Sequence, residues 1–97
     1  MGLKSKTMSR TLIISYDLSN PGQNYEALVK LIKTYPWARL GGSAYVILTE
    51  STPVEVREKL RPTLDKNDKL FVGVAPPPAA WAGMPDDVTK WLQANQK

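Results

Sequence analysis

The 97-residue sequence has no cysteine, no histidine and a single phenylalanine, Phe71. The absence of cysteine removes disulfides and thiolate chemistry, and it is compatible with a reducing, cytoplasmic setting. With histidine missing too, the commonest general base and the strongest nucleophile are both gone. Zinc sites built on imidazole or thiolate are excluded as well. Any hydrolysis must therefore run on carboxylates, hydroxyls or a hard metal ion. No run approaches the roughly 20 apolar residues that span a bilayer. Lys4, Lys6 and Arg10 precede the first strand without an apolar stretch between them, so no secretory signal is expected. No GxGxxG or Walker pattern is present, and Gly22, Gly41 and Gly42 do not form a phosphate cradle.

What is present fits one small domain. Apolar residues make up 42% and charged residues 23% of the chain, and the net charge is +4. That excess permits a phosphate-binding surface without demanding one. Residues 1–9 read as a flexible leader. Thr11 to Asp17 alternates as a strand, with Leu12, Ile14 and Tyr16 on one face and Ile13, Ser15 and Asp17 on the other. Ser19-Asn20-Pro21-Gly22 is a turn. Tyr25, Leu28, Val29 and Ile32 then recur at helical spacing, with Asn24 as N-cap and Pro36 as terminator. Trp37–Leu40 and Ser43–Thr49 read as strands around a Gly41-Gly42 turn.

Thr52-Pro53-Val54-Glu55 is a capping box with proline at the first helical position. That helix should stop before Pro62. Asp65 to Asp68 forms a polar turn, and Lys69 to Val74 a final strand. The order strand, helix, strand, strand, helix, strand is the split βαβ arrangement. The fold class expected is α+β, ferredoxin-like βαββαβ: a four-stranded antiparallel sheet with two helices on one face, plus a C-terminal helix. Residues 10–75 would form that domain. Residues 76–97 would add a stiff Pro76-Pro77-Pro78 connector and a helix from about Met84 to Ala94.

On this reading Leu12, Ile14, Tyr16, Ala44, Val46, Leu48, Leu70 and Val72 line the core. The opposite face shows Ile13, Ser15, Tyr45, Ile47 and Phe71, which is too apolar to leave to water. At about 25 cal/mol per Å², covering a few hundred Å² of it would be worth several kcal/mol. The expected cover is a second copy of the chain, with Trp81 and Trp91 contributing; the alternative is the tail folding back within one chain. Asp17 closes the first strand on that face. There it either caps the turn or, doubled by a twofold axis, holds Mg²⁺ and activates water on a phosphodiester. Lys4, Lys6, Arg10 and Arg39 are candidate phosphate contacts. Arg57, Lys59 and Arg61 share their helix with Glu55 and Glu58 and read as a solvated face. Tyr16, Tyr45, Trp37 and Trp81 are core or interface residues, or else stacking platforms for bases.

Tyr16-Asp17 at a strand end, Arg39-Leu40 after one helix, and Ser43-Ala44-Tyr45 opening a strand together resemble a known family. It is the small CRISPR-associated endoribonuclease family, the ferredoxin-like partner of the spacer integrase. The motif match runs over residues 11–49. Asn67 to Val72 and the Trp-containing tail resemble that family's stand-alone SinR-family relatives more closely still. The resemblance implies a homodimer, Mg²⁺ at Asp17, and cleavage of RNA or DNA. It places Arg39 and Ser43 near nucleic acid or the dimer interface, where Arg10 and Tyr16 join them as candidate nucleic-acid contacts, and it allows an integrase-type partner protein. It equally accommodates a non-catalytic dimeric module that binds nucleic acid or protein. Tyr45 stands where the family often has Phe, and the Pro-rich connector replaces an extra strand.

Overall fold

The computed structural model describes residues 9–19 and 25–96. Strand β1 (Arg10–Asp17) leads to helix α1 (Tyr25–Ile32) and then to β2 (Trp37–Gly41) and β3 (Ala44–Thr49). Helix α2 (Pro53–Leu60) runs into a 3-10 turn at Arg61–Thr63, followed by β4 (Lys69–Val74) and helix α3 (Asp86–Asn95). The expected leader at 1–8, most of the Ser19–Gly22 turn and the Asn24 cap lie outside the described residues. The sheet is antiparallel with order β2-β3-β1-β4, the ferredoxin-like arrangement. Among the described residues no helix is long and apolar enough to cross a membrane.

Local chemistry explains most boundaries. The Thr52 hydroxyl accepts the Glu55 N–H at 3.1 Å while the Glu55 carboxylate accepts the Thr52 N–H at 2.8 Å, so two orphan donors of α2 are satisfied reciprocally. Helix α2 stops at Leu60, before Pro62 as expected, and Pro62 sits near the start of the following 3-10 turn, where its missing N–H is not needed. Helix α3 starts at Asp86 just after Pro85, with Asp86 and Asp87 in its first turn, where carboxylates suit the helix dipole.

Helices α1 and α2 cover one side of the sheet. Beneath them lie Leu12, Ile14, Tyr16, Tyr45 and Ile47 from the strands and Leu28, Ile32, Val56 and Leu60 from the helices. This corrects the expected faces of β3. Residues directly opposite in an antiparallel pair share a face, and Leu12 stands opposite Ile47 and Ile14 opposite Tyr45. Tyr45 and Ile47 are therefore core residues, while Ala44, Val46 and Leu48 point to the other side. The alternation itself is as expected. Both sets on β3 are apolar, so the pattern carries no sign, and only the pairing with β1 decides it.

The second side acquires its own small core. Helix α3 packs on β2, and Val88 and Leu92 bury Ala38 and Val46, with Leu40, Trp81, Met84 and Trp91 around them. Within the tail the Trp81 indole N–H donates to the Thr89 hydroxyl at 3.3 Å, and the Gln96 amide ties its far end to the Ala75 carbonyl. Ala75 in turn extends β4 along β1, its N–H donating to the Thr11 carbonyl at 2.9 Å and its carbonyl accepting the Thr11 hydroxyl at 2.6 Å. The tail thus closes the β2–β3 half of this face and leaves Ile13, Ser15, Asp17 and Phe71 in the β1–β4 half less covered.

Candidate functional site

Asp17 ends β1 with an exposed side chain, and among the described residues its carboxylate has neither an ion-pair nor a hydrogen-bond partner. The register fixes its neighbours. Lys69 lies directly opposite on β4, and Ser15 stands opposite Phe71 one step earlier on the same face. These residues, with Tyr16 and Leu70, line a shallow depression of about 180 Å³. The Tyr16 N–H donates to the Ser43 carbonyl at 3.1 Å, which ties the Gly41-Gly42-Ser43 turn to the same end of the sheet.

A second carboxylate braces this end without entering the site. Asp68 accepts the Ser19 N–H at 2.8 Å, the Ser19 hydroxyl at 3.1 Å and the Asp65 N–H at 2.7 Å. These bonds, that from Asp65 first, hold its carboxyl below its ordinary value because they favour the charged form. Asp68 therefore fixes the exit of β1 relative to the start of β4. It already accepts three hydrogen bonds, which commit it to bracing the turn. Among the described residues no group of three or more His, Cys, Asp or Glu could hold a metal ion.

The sequence-derived candidates separate into four places. Asp17 and Ser43 stand at one end of the sheet. Arg10 begins β1, seven residues and about 23 Å from Asp17, so the two do not act on one phosphate. Arg39 is exposed on the helix-side face of β2, the face opposite Asp17's, and its guanidinium donates to the carbonyls of Gly41 at 3.0 Å and Gly42 at 3.4 Å. Arg57 and Arg61 both pair with Glu58, at 2.9 and 3.1 Å, on the exposed surface of α2.

The aromatic candidates are mostly spent inside the fold. Tyr16 is 5% exposed and lies 6.5 Å from Tyr45 in a stacked pair and 6.0 Å from Tyr25 edge-on. Trp37 meets Tyr45 edge-on at 5.8 Å and carries the Lys33 ammonium 4.5 Å above its ring. Neither Tyr16 nor Tyr45 can stack a base. Burial, with the Tyr25 and Tyr45 phenols adding and Arg39 opposing, pushes the Tyr16 phenol well up. Its hydroxyl makes no hydrogen bond of good geometry among the described residues. Tyr45 and Ile47 are withdrawn from any interface on the second face, and Trp81 and Trp91 are engaged by their own chain. Of the expected interface set, Ile13, Ser15 and Phe71 remain outside both cores.

Lys69 and Asp68 are the neighbours that the sequence reading left out. Their signal was the antiparallel pairing of β1 with β4, which must set the end of one against the start of the other. A larger concavity of about 540 Å³ lies between β2 and α3, lined by Trp37, Arg39, Asp87 and Trp91 among others, but the Asp87 carboxylate accepts the Val88 N–H at 2.9 Å.

No protein-family model matches the chain, nor does any curated protein. Among solved structures it is similar to the hypothetical protein TT1823 from Thermus thermophilus. The identity is 22%, the match covers 79% of this chain and 94% of that one, and the TM-score is 0.67. That likeness supports the fold alone.

Proposed function

We propose that the protein is a Mg²⁺-dependent endonuclease of the CRISPR-associated ferredoxin-like type, working as a homodimer in which two Asp17 carboxylates meet at one site. The observation that carries this reading is the exposed Asp17 carboxylate, without a partner among the described residues, closing a central strand of a ferredoxin-like sheet. One carboxylate suits a hard cation that keeps most of its waters, and a twofold axis supplies the second. When bound, such an ion lowers the pKa of a coordinated water and polarises a phosphodiester. The chain's own residues orient the substrate: the ammonium of Lys69 attracts a phosphate beside Asp17, and the Asp68 brace holds that end of β1 still. With the tail using the β2–β3 half of the open face, the second copy approaches at the rim formed by Asp17 and the Gly41-Gly42-Ser43 turn.

The test is cleavage of labelled RNA and DNA by wild type and Asp17→Ala, each with Mg²⁺ and with EDTA. Loss of cleavage on chelation and on substitution is the expected result. Cleavage that survives Asp17→Ala, or that wild type never shows, removes the enzymatic reading. A second reading is a non-catalytic dimeric module that binds nucleic acid or protein. It is favoured by the Lys69 cation opposite Asp17, which competes with a metal for the carboxylate. Retarded migration of nucleic acid without cleavage supports it.

A further inference from the structure

Phe71 is the one phenylalanine of the chain and, at 63% exposed, the most exposed large apolar side chain among the described residues. It stands on the sheet face that the tail leaves open. Its ring leans along β4 over Gly73: a Cβ built on Gly73 would lie 2.9 Å from Cε2 and 3.1 Å from Cζ of the ring. The glycine therefore leaves space that the ring uses as a bed, and most of the rest of the ring meets solvent. Around it on the same face are Ser15 directly opposite, Asp17 and Ile13 diagonally, and Lys69 two residues earlier on its own strand. Three of these four are polar or charged. A second copy seeking an apolar seat finds one ring in polar surroundings. An unpaired base finds a π-face with a cation beside it for its phosphate.

We infer that Phe71 is a stacking platform for one nucleobase of a single-stranded nucleic acid, with Lys69 contacting the adjoining phosphate. The inference rests on the reading that nucleic acid is the ligand, and it narrows that ligand to single strands, since bases inside a duplex are stacked on each other. It also gives Asp17 a substrate register, because the base held on Phe71 sets the position of the backbone along β1.

Binding is measured in EDTA, so that no cleavage intervenes, with a fluorescent single-stranded 12-mer, the matching duplex, and a single strand carrying 2-aminopurine. Wild type should prefer the single strand and quench 2-aminopurine on binding. Phe71→Ala should bind about five- to hundredfold more weakly and lose the quenching, while Phe71→Trp should keep both. Gly73→Ala keeps the ring but displaces it, and it should reduce the quenching too. Because Phe71 is largely exposed, its substitution should shift the melting temperature by no more than about 3 °C. If wild type binds no single strand, the nucleic-acid reading falls and this inference with it. If wild type binds but Phe71→Ala binds and quenches equally well, only this inference falls. If Phe71→Ala instead dissociates a dimer, the ring is covered by a second copy and the platform is refuted.

Discussion

Replacing Ile47 by alanine and, separately, Leu48 by alanine tests the face assignment of β3 directly. Both substitutions remove three side-chain carbons from adjacent positions of one strand. Ile47 is 0% exposed beneath α1 and α2, whereas Leu48 is half-buried on the other face. At about 0.8 kcal/mol per buried methylene, the lost transfer energy at Ile47 is roughly 2.4 kcal/mol. The cavity left behind raises the cost to about 3–4 kcal/mol. At Leu48, where water already reaches part of the side chain and can fill the gap, about 1–2 kcal/mol is expected. In a domain of this size 1 kcal/mol moves the melting temperature by roughly 4–8 °C, so Ile47→Ala should melt at least about 12 °C lower than wild type. Urea unfolding followed by far-UV circular dichroism gives both values, with the midpoint moving and the slope unchanged. If Leu48→Ala proves as costly as Ile47→Ala or more so, the pairing of Leu12 with Ile47 is wrong, and the layering built on it fails.

Two further outcomes follow from the loops. Thr52→Ala removes the hydroxyl that accepts the Glu55 N–H and should cost about 1 kcal/mol, read from the same urea midpoints; no change would mean that water caps α2 equally well. Asp68 has a carboxyl held below its ordinary value of 3.8. Its contribution to stability is therefore complete above about that pH and is lost as the pH falls through its lowered value in the folded protein. Asp68→Ala should unfold more easily at neutral pH and lose less stability than wild type on acidification below pH 3.8; parallel losses in the two proteins would contradict the brace.

Much of this architecture was legible because local signals and global fold agree. The Thr52–Glu55 box, the Pro85 helix start and the β-branched run at Thr11–Ile14 each name one element, and their order names the topology. The faces of β3 were not legible, since Ala44, Val46 and Leu48 are as apolar a set as Tyr45 and Ile47. A strand buried on both sides has no outward face to mark it, and here the second side is buried by a helix about 40 residues further along. For the same reason Tyr16, Tyr45, Trp81 and Trp91 could be read as interface or ligand residues, although their partners are inside the chain. Asp17 was found from its place at a strand end. Lys69 was not, because its nearness to Asp17 exists only once β4 pairs with β1.

The two rims of the sheet are unequal. Along β2 the Arg39 guanidinium already occupies the carbonyls of Gly41 and Gly42, and the strand is short and irregular there. Along β4 the Ala75 N–H turns inward to Thr11, so by alternation Leu70, Val72 and Val74 turn their backbone groups outward, unguarded by proline and with Lys69 as the strand's one charge. That bare rim is a template for adding another strand. Two copies joined there about Val72 would hold their Asp17 carboxylates about 25 Å apart. A dimer closed through this rim would thus keep its two Asp17 carboxylates too far apart to share one ion, and Val74→Lys, at an exposed position of the strand, would block it.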